Sequence, residues 1–126
     1  MEDVIIKLNE TLEGLKDFQL ATVEQVVEHF SRPDHSHRVL VADEVGLGKT
    51  IVAKGVIAQL LIDAINQKSP RPLRVTYICS NLALANENRE KLAVFDHTSR
   101  HKYVQEPSFG RLVELATRPV SSTGSK

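Results

Sequence analysis

The chain has 126 residues, of which 41% are apolar and 25% are charged, which is the composition of one ordinary globular domain. Sixteen basic residues balance sixteen acidic ones, so no global field draws the chain to nucleic acid or to an anionic membrane. A single cysteine, Cys79, excludes an internal disulfide, and the N-terminus lacks the pattern of a signal peptide. We therefore expect a cytoplasmic protein that is not secreted and has no membrane partner.

The N-terminal part predicts two helices. Apolar residues recur at helical spacing over residues 3–13, and Gly14 ends that run. A second helix is predicted over residues 18–31, with an apolar face of valines and a phenylalanine. Pro33 and Asp34 then mark a turn.

The middle of the chain predicts a strand, a helix and a second strand. The β-branched run 38–42 is typical of a buried parallel strand, and residues 73–80 form a similar run that contains Cys79. Between them, residues 49–67 predict a helix with an apolar face broad enough to cover a sheet. Gly55 in this helix costs about 1 kcal/mol against alanine, which indicates close packing at that point.

The C-terminal part predicts a helix over residues 82–95, capped by Ser80 or Asn81, with Leu84, Leu92 and Phe95 towards the core. A short helix over 109–117 and a disordered polar tail over 118–126 follow. The strand–helix–strand order predicts an α/β fold with parallel β-strands flanked by helices. Two strands are few for such a sheet, so we expect part of a larger α/β domain; a complete small α/β protein with further strands is the alternative.

Residues 42–50, "ADEVGLGKT", carry the most specific chemistry in the chain. Gly46 and Gly48 allow a tight turn whose backbone N–H groups face phosphate oxygens. Lys49 supplies a positive charge to the β- and γ-phosphates, and the Thr50 hydroxyl is a ligand for Mg²⁺. The alternative is a glycine-rich turn with a surface lysine.

"DEVGLGKT" (residues 43–50) resembles motif I of the superfamily 2 helicases and translocases, in the form found in the Swi/Snf-like group. In that resemblance Asp43 is the family's own residue at the first loop position, and Glu44 points away from the phosphates. The resemblance implies a P-loop NTPase fold, with residues 1–117 as the N-terminal part of a RecA-like lobe. It also implies that ATP and Mg²⁺ are bound by the loop residues Val45, Gly46, Leu47, Gly48, Lys49, Thr50 and Ile51.

Two flanking stretches resemble further motifs of the same family. "LKDFQLATVEQVV" (15–27) is similar to its glutamine motif, which implies that Gln19 reads the adenine edge. "YICSNLALANENREKL" (77–92) is similar to motif Ia, which implies that Ser80 and Asn81 hold a nucleic-acid phosphate. The alternatives are a surface glutamine and an ordinary helix cap.

Hydrolysis requires groups that the sequence does not show. No adjacent acidic pair follows an apolar run after the loop, and no arginine lies in a recognisable finger motif. We therefore expect the chain alone to bind nucleotide weakly at best and not to turn it over at a useful rate. The resemblance implies that a longer parent hydrolyses ATP and moves along nucleic acid, DNA rather than RNA, with the remaining motor lobes as partners.

Two other functions stay open. One is a stand-alone, non-catalytic module that binds nucleotide or a protein partner. The other is a small-molecule kinase, which would need an acceptor site and lid arginines. The five histidines of the chain are expected to be solvated loop residues and not a zinc site.

Overall fold

The computed structural model describes residues 2–42, 44, 46–71 and 73–94. These residues form four helices: α1 (Glu2–Glu13), α2 (Asp17–Ser31), α3 (Lys49–Asn66) and α4 (Leu82–Leu92). All four helices lie where the apolar periodicity predicted them, with small differences at their ends. The helix predicted over 109–117 and the tail 118–126 lie outside the described residues.

Helix α3 is the central element, because it packs against α1, α2 and α4. One core cluster joins Leu8 of α1 to Ala58 and Ile62 of α3. The other joins Val23 and Val27 of α2 to Val52 of α3. The apolar face of α3 is therefore covered by helices, whereas the sequence predicted that it would cover a sheet.

Gly55 is buried on the face of α3 that packs against α2. A Cβ atom added at Gly55 would lie 2.8 Å from Val23 Cγ2 and 2.9 Å from Leu15 Cδ1. The close packing predicted at this glycine is confirmed, and its partners are side chains of α2 and of the turn before it.

Helix α4 begins at an asparagine cap. The Asn81 side-chain oxygen accepts hydrogen bonds from the backbone N–H groups of Ala83, at 2.8 Å, and Leu84, at 3.3 Å. Further along the helix, Lys91 donates a hydrogen bond to the Glu87 carboxylate. This hydrogen bond and the positive charge of Lys91 lower the pKa of Glu87. Leu84 is exposed, so its predicted place in the core is wrong.

The predicted α/β fold class is wrong for the described part of the chain, which contains helices and no strand. Residues 38–42 and 73–80 adopt no regular structure, and Leu40 is 87% exposed and Ile78 68% exposed. Cys79, predicted to be buried in a strand, is exposed too. The physical reason is that a strand exists only through hydrogen bonds to a neighbouring strand, which a β-branched run cannot supply by itself.

The same finding overturns the resemblance to a superfamily 2 helicase lobe. A P-loop NTPase of the RecA-like type is built around a parallel sheet, and its phosphate loop follows a strand of that sheet. Here the residues before the loop, 38–42, form no strand. The assignment of residues 1–117 to a RecA-like lobe therefore has no structural basis among the residues described.

Candidate functional site

The candidate site is the glycine loop, residues 43–50, of which Asp43 and Val45 lie outside the described residues. Gly46 has φ +93° and Gly48 has φ +83°, both in the left-handed region that favours glycine. A Cβ atom at Gly46 would meet nothing within 4 Å, so the backbone there borders open space. The two glycines thus make the tight turn that leads into α3.

Gly48 is the N-cap residue of α3. Its carbonyl oxygen accepts hydrogen bonds from the N–H groups of Ile51, at 2.8 Å, and Val52, at 3.0 Å. Helix geometry gives the earlier N–H groups of the first turn no acceptor within the helix. Left-handed Gly48 followed by helical Lys49 is a turn of the kind in which successive N–H groups can form an anion-binding nest. This arrangement, at the positive end of a helix dipole, favours a phosphate group.

Lys49 folds back over the loop. Its ammonium group donates a hydrogen bond to the Glu44 carbonyl oxygen at 2.9 Å. The N–H of Leu47 also donates to this oxygen, at 3.4 Å. The lysine charge is therefore held beside the loop backbone, while the Glu44 side chain is exposed.

Gln19 of α2 meets the loop from the core side. Its side chain is only 5% exposed. The side-chain oxygen accepts a hydrogen bond from the Lys16 N–H at 3.1 Å, and the side-chain nitrogen donates one to the Leu47 carbonyl oxygen at 3.1 Å. Gln19 thus ties the start of α2 to a loop that lies 28 residues further along the chain.

The structure brings together only part of the predicted set of site residues. Gln19 contacts the loop at Leu47, and Gly48, Lys49 and Thr50 follow at the start of α3. Ile51 is exposed on the first turn of that helix. Ser80 and Asn81 precede a different helix, α4, where the Asn81 side chain serves as the cap.

A histidine pair was missed by the sequence reasoning. The Nδ1 atoms of His29 and His35 lie 3.1 Å apart, and their ring centroids lie 4.7 Å apart. The sequence analysis expected solvated loop histidines, but His29 lies on α2, and nothing in the spacing indicated that the turn folds His35 back onto this helix. Among the described residues there is no group of three or more metal-ligating side chains.

A separate open cleft of about 500 Å³ lies between α2 and residues 38–42. Thr22, Gln25, Val26 and His29 line it on the helix side. The described residues of the glycine loop are not among its lining, so the cleft and the candidate phosphate site are distinct surfaces. None of the four helices is sufficiently long and apolar to cross a membrane.

Compared with known proteins, the chain matches no family model, no curated protein and no solved structure. The resemblance of residues 43–50 to superfamily 2 therefore gains no support from outside the loop itself. What the loop does has to be inferred from its own residues and geometry.

Proposed function

We propose that the glycine loop binds the phosphates of a magnesium-bound nucleoside triphosphate, with ATP as the expected nucleotide. The observation that carries the proposal is left-handed Gly48 directly before helical Lys49, at the N-terminus of α3. This geometry aims backbone N–H groups at a single position, and an anion is the ligand that such groups prefer. A surface turn has no need of two left-handed glycines followed by a lysine and a threonine.

Lys49 adds a positive charge to these uncharged backbone N–H donors. Its hydrogen bond to the Glu44 carbonyl is one that a phosphate oxygen can replace, since a charged acceptor binds an ammonium group more strongly than a neutral one. The open space beside Gly46 leaves room for a ligand against the backbone. The donors and the space available thus suit phosphate.

The charge of the loop favours the magnesium complex over the free nucleotide. Residues 43–50 contain two acids, Asp43 and Glu44, and one base, Lys49, so the net charge is 1 − 2 = −1. A bare triphosphate would be repelled by this charge, whereas bound Mg²⁺ neutralises part of the phosphate charge. Thr50, on the first turn of α3, would contribute its hydroxyl to the ion.

The proposal covers binding and not turnover. The sequence shows no acidic pair that would position the attacking water. A binding module is therefore the function that the residues support. Movement of a longer protein along nucleic acid stays a prediction from the sequence. In that prediction, Ser80 and Asn81 contact a phosphate of the nucleic acid.

Lys49→Ala and Lys54→Ala test the proposal as a matched pair. Both lysines lie on α3, but only Lys49 lies at its first position beside the loop. We expect Lys49→Ala to weaken Mg·ATP binding about 10- to 100-fold, because a charged hydrogen bond contributes about 1.5–3 kcal/mol. Lys54→Ala should bind as the unmodified chain does. Isothermal titration calorimetry, with and without EDTA, measures both affinities and the need for magnesium.

Two results would contradict the proposal. One is the absence of saturable binding of Mg·ATP to the unmodified chain. The other is an equal loss of affinity in Lys49→Ala and Lys54→Ala, which would place the ligand elsewhere or show that the lysine charge acts only at long range.

A further inference from the structure

We infer that Gln19 is a positioning residue that holds the glycine loop in its phosphate-binding shape and does not read the nucleotide base. This inference rests on the proposed function, since it assigns a role within the same site. It differs from the adenine contact that the sequence resemblance implied for Gln19.

The first support is the state of the Gln19 amide group. Its oxygen already accepts from the Lys16 N–H and its nitrogen already donates to the Leu47 carbonyl. At 5% exposure, the side chain presents almost no surface to a ligand. A base edge that needs one donor and one acceptor from the same amide would have to break both of these buried hydrogen bonds.

The second support is the direction in which the Leu47 carbonyl points. In a planar trans peptide, the carbonyl of one residue and the N–H of the next point in opposite directions. Because the Leu47 carbonyl is anchored to Gln19 on the core side, the Gly48 N–H is turned to the opposite side, away from Gln19. That N–H is the first donor of the nest. Gln19 therefore sets the orientation of a phosphate-binding group that it does not touch.

The third support is the contact between Gln19 and Gly48. A Cβ atom at Gly48 would lie 2.7 Å from Gln19 Nε2. The glutamine amide thus lies directly beneath the left-handed glycine, and a larger residue at position 48 would displace it. At Gly46, where φ is also positive, an added Cβ atom would meet no other atom within 4 Å. The loop is supported at Gly48 and open at Gly46.

The two possible roles predict different ligand dependences. A residue that reads adenine affects ATP and leaves ligands without that base unchanged. A residue that orients the Gly48 N–H affects every ligand that carries the phosphates, by the same factor. Inorganic tripolyphosphate, which has no base at all, separates the two.

The experiment measures the affinities of Mg·ATP, Mg·GTP and magnesium tripolyphosphate for the full chain, for Gln19→Met and for Gln25→Met. Gln25 lies on the same helix and is exposed, so it is the matched control. We expect Gln19→Met to weaken all three ligands about tenfold, since one oriented hydrogen bond is lost. Gln25→Met should leave all three affinities unchanged.

Gln19→Glu supplies a second readout that general loosening of the fold would not produce. At neutral pH the introduced carboxylate cannot donate to the Leu47 carbonyl, so binding should fall as it does in Gln19→Met. When the carboxyl is protonated, it regains a donor in nearly the same place. We expect the loss of tripolyphosphate affinity, relative to the unmodified chain at each pH, to shrink as the pH falls from about 7 to about 4.5.

Each outcome decides between the two roles. Equal losses for the three ligands, with recovery of Gln19→Glu in acid, support the inference. A loss confined to Mg·ATP, or no loss in either variant, overturns it and leaves the proposed function standing. If the unmodified chain binds none of the three ligands, the proposed function itself fails. If Gln19→Met does not fold, the pH profile of Gln19→Glu carries the decision.

Discussion

Leu8 and Leu40 are the same type of residue with opposite environments. Leu8, on α1, is 0% exposed in the cluster with Ala58 and Ile62, whereas Leu40, in the segment 38–42, is 87% exposed. In segment 73–80, Val75, Tyr77 and Ile78 are also exposed, although less than Leu40. The helical core and these two apolar segments differ although each is rich in residues that favour burial.

The difference lies in where each region finds its hydrogen bonds. A helix pairs its backbone groups within itself, so an apolar stripe on it is ready to pack. A strand depends on a neighbour that is distant in the sequence, and without one its apolar side chains have no common surface to cover. The described residues contain four helices that pair their own backbone groups, and no strand that has found a neighbour.

The largest effect is expected from truncating Leu8, with Leu40 as the comparison. Leu8→Ala removes a fully buried side chain and should lower the free energy of unfolding by about 2–5 kcal/mol. Leu40→Ala removes an exposed one and should change it by less than about 0.5 kcal/mol. Urea unfolding followed by circular dichroism measures both. A cost at Leu40 similar to that at Leu8 would mean that residues 38–42 pack in a sheet after all.

An intermediate effect is expected at Gly55, inside the core. In an exposed helix, alanine is about 1 kcal/mol more favourable than glycine. Here the added methyl group would overlap Val23 and Leu15, so Gly55→Ala should destabilise the chain by about 1–3 kcal/mol. The same change in a Val23→Ala background should cost less, because Val23 no longer occupies the space. Thermal unfolding of the two single variants and the double variant measures this coupling. Strict additivity of the two changes would argue against contact between α2 and α3 at this point.

The smallest effect is expected for the reactivity of Cys79, which lies in the apolar segment 73–80. Folding should protect its thiol little from a thiol reagent. Its thiol is exposed, so the native chain should react with a thiol reagent within about tenfold of the rate in urea. The comparison variant combines Cys79→Ser with Ala58→Cys, which moves the thiol to a position with 0% exposure. That thiol should react only after local opening and therefore much more slowly. Strong protection of Cys79 would restore the buried strand that the sequence predicted.

Part of the candidate site could be predicted from the sequence. Glycines at 46 and 48 predicted a tight turn, and both have positive φ. For Gln19 the resemblance of residues 15–27 implied a contact with adenine, and the structure shows that its amide nitrogen donates a hydrogen bond to the Leu47 carbonyl of the loop. The hydrogen-bond partner of the Gln19 amide could not be predicted from the sequence. It depends on how α2 packs against the loop, and Gln19 and Leu47 are 28 residues apart.

The sequence by itself determined the four helices and the turn at the two glycines. These depend on residues within a few positions of one another, and backbone geometry alone specifies them. Only the tertiary structure decided that α3 packs against helices, that residues 38–42 and 73–80 form no sheet, and that Gly55 packs against Val23 and Leu15. Those outcomes depend on which distant segments meet, and the free energy of such contacts is not contained in any local pattern.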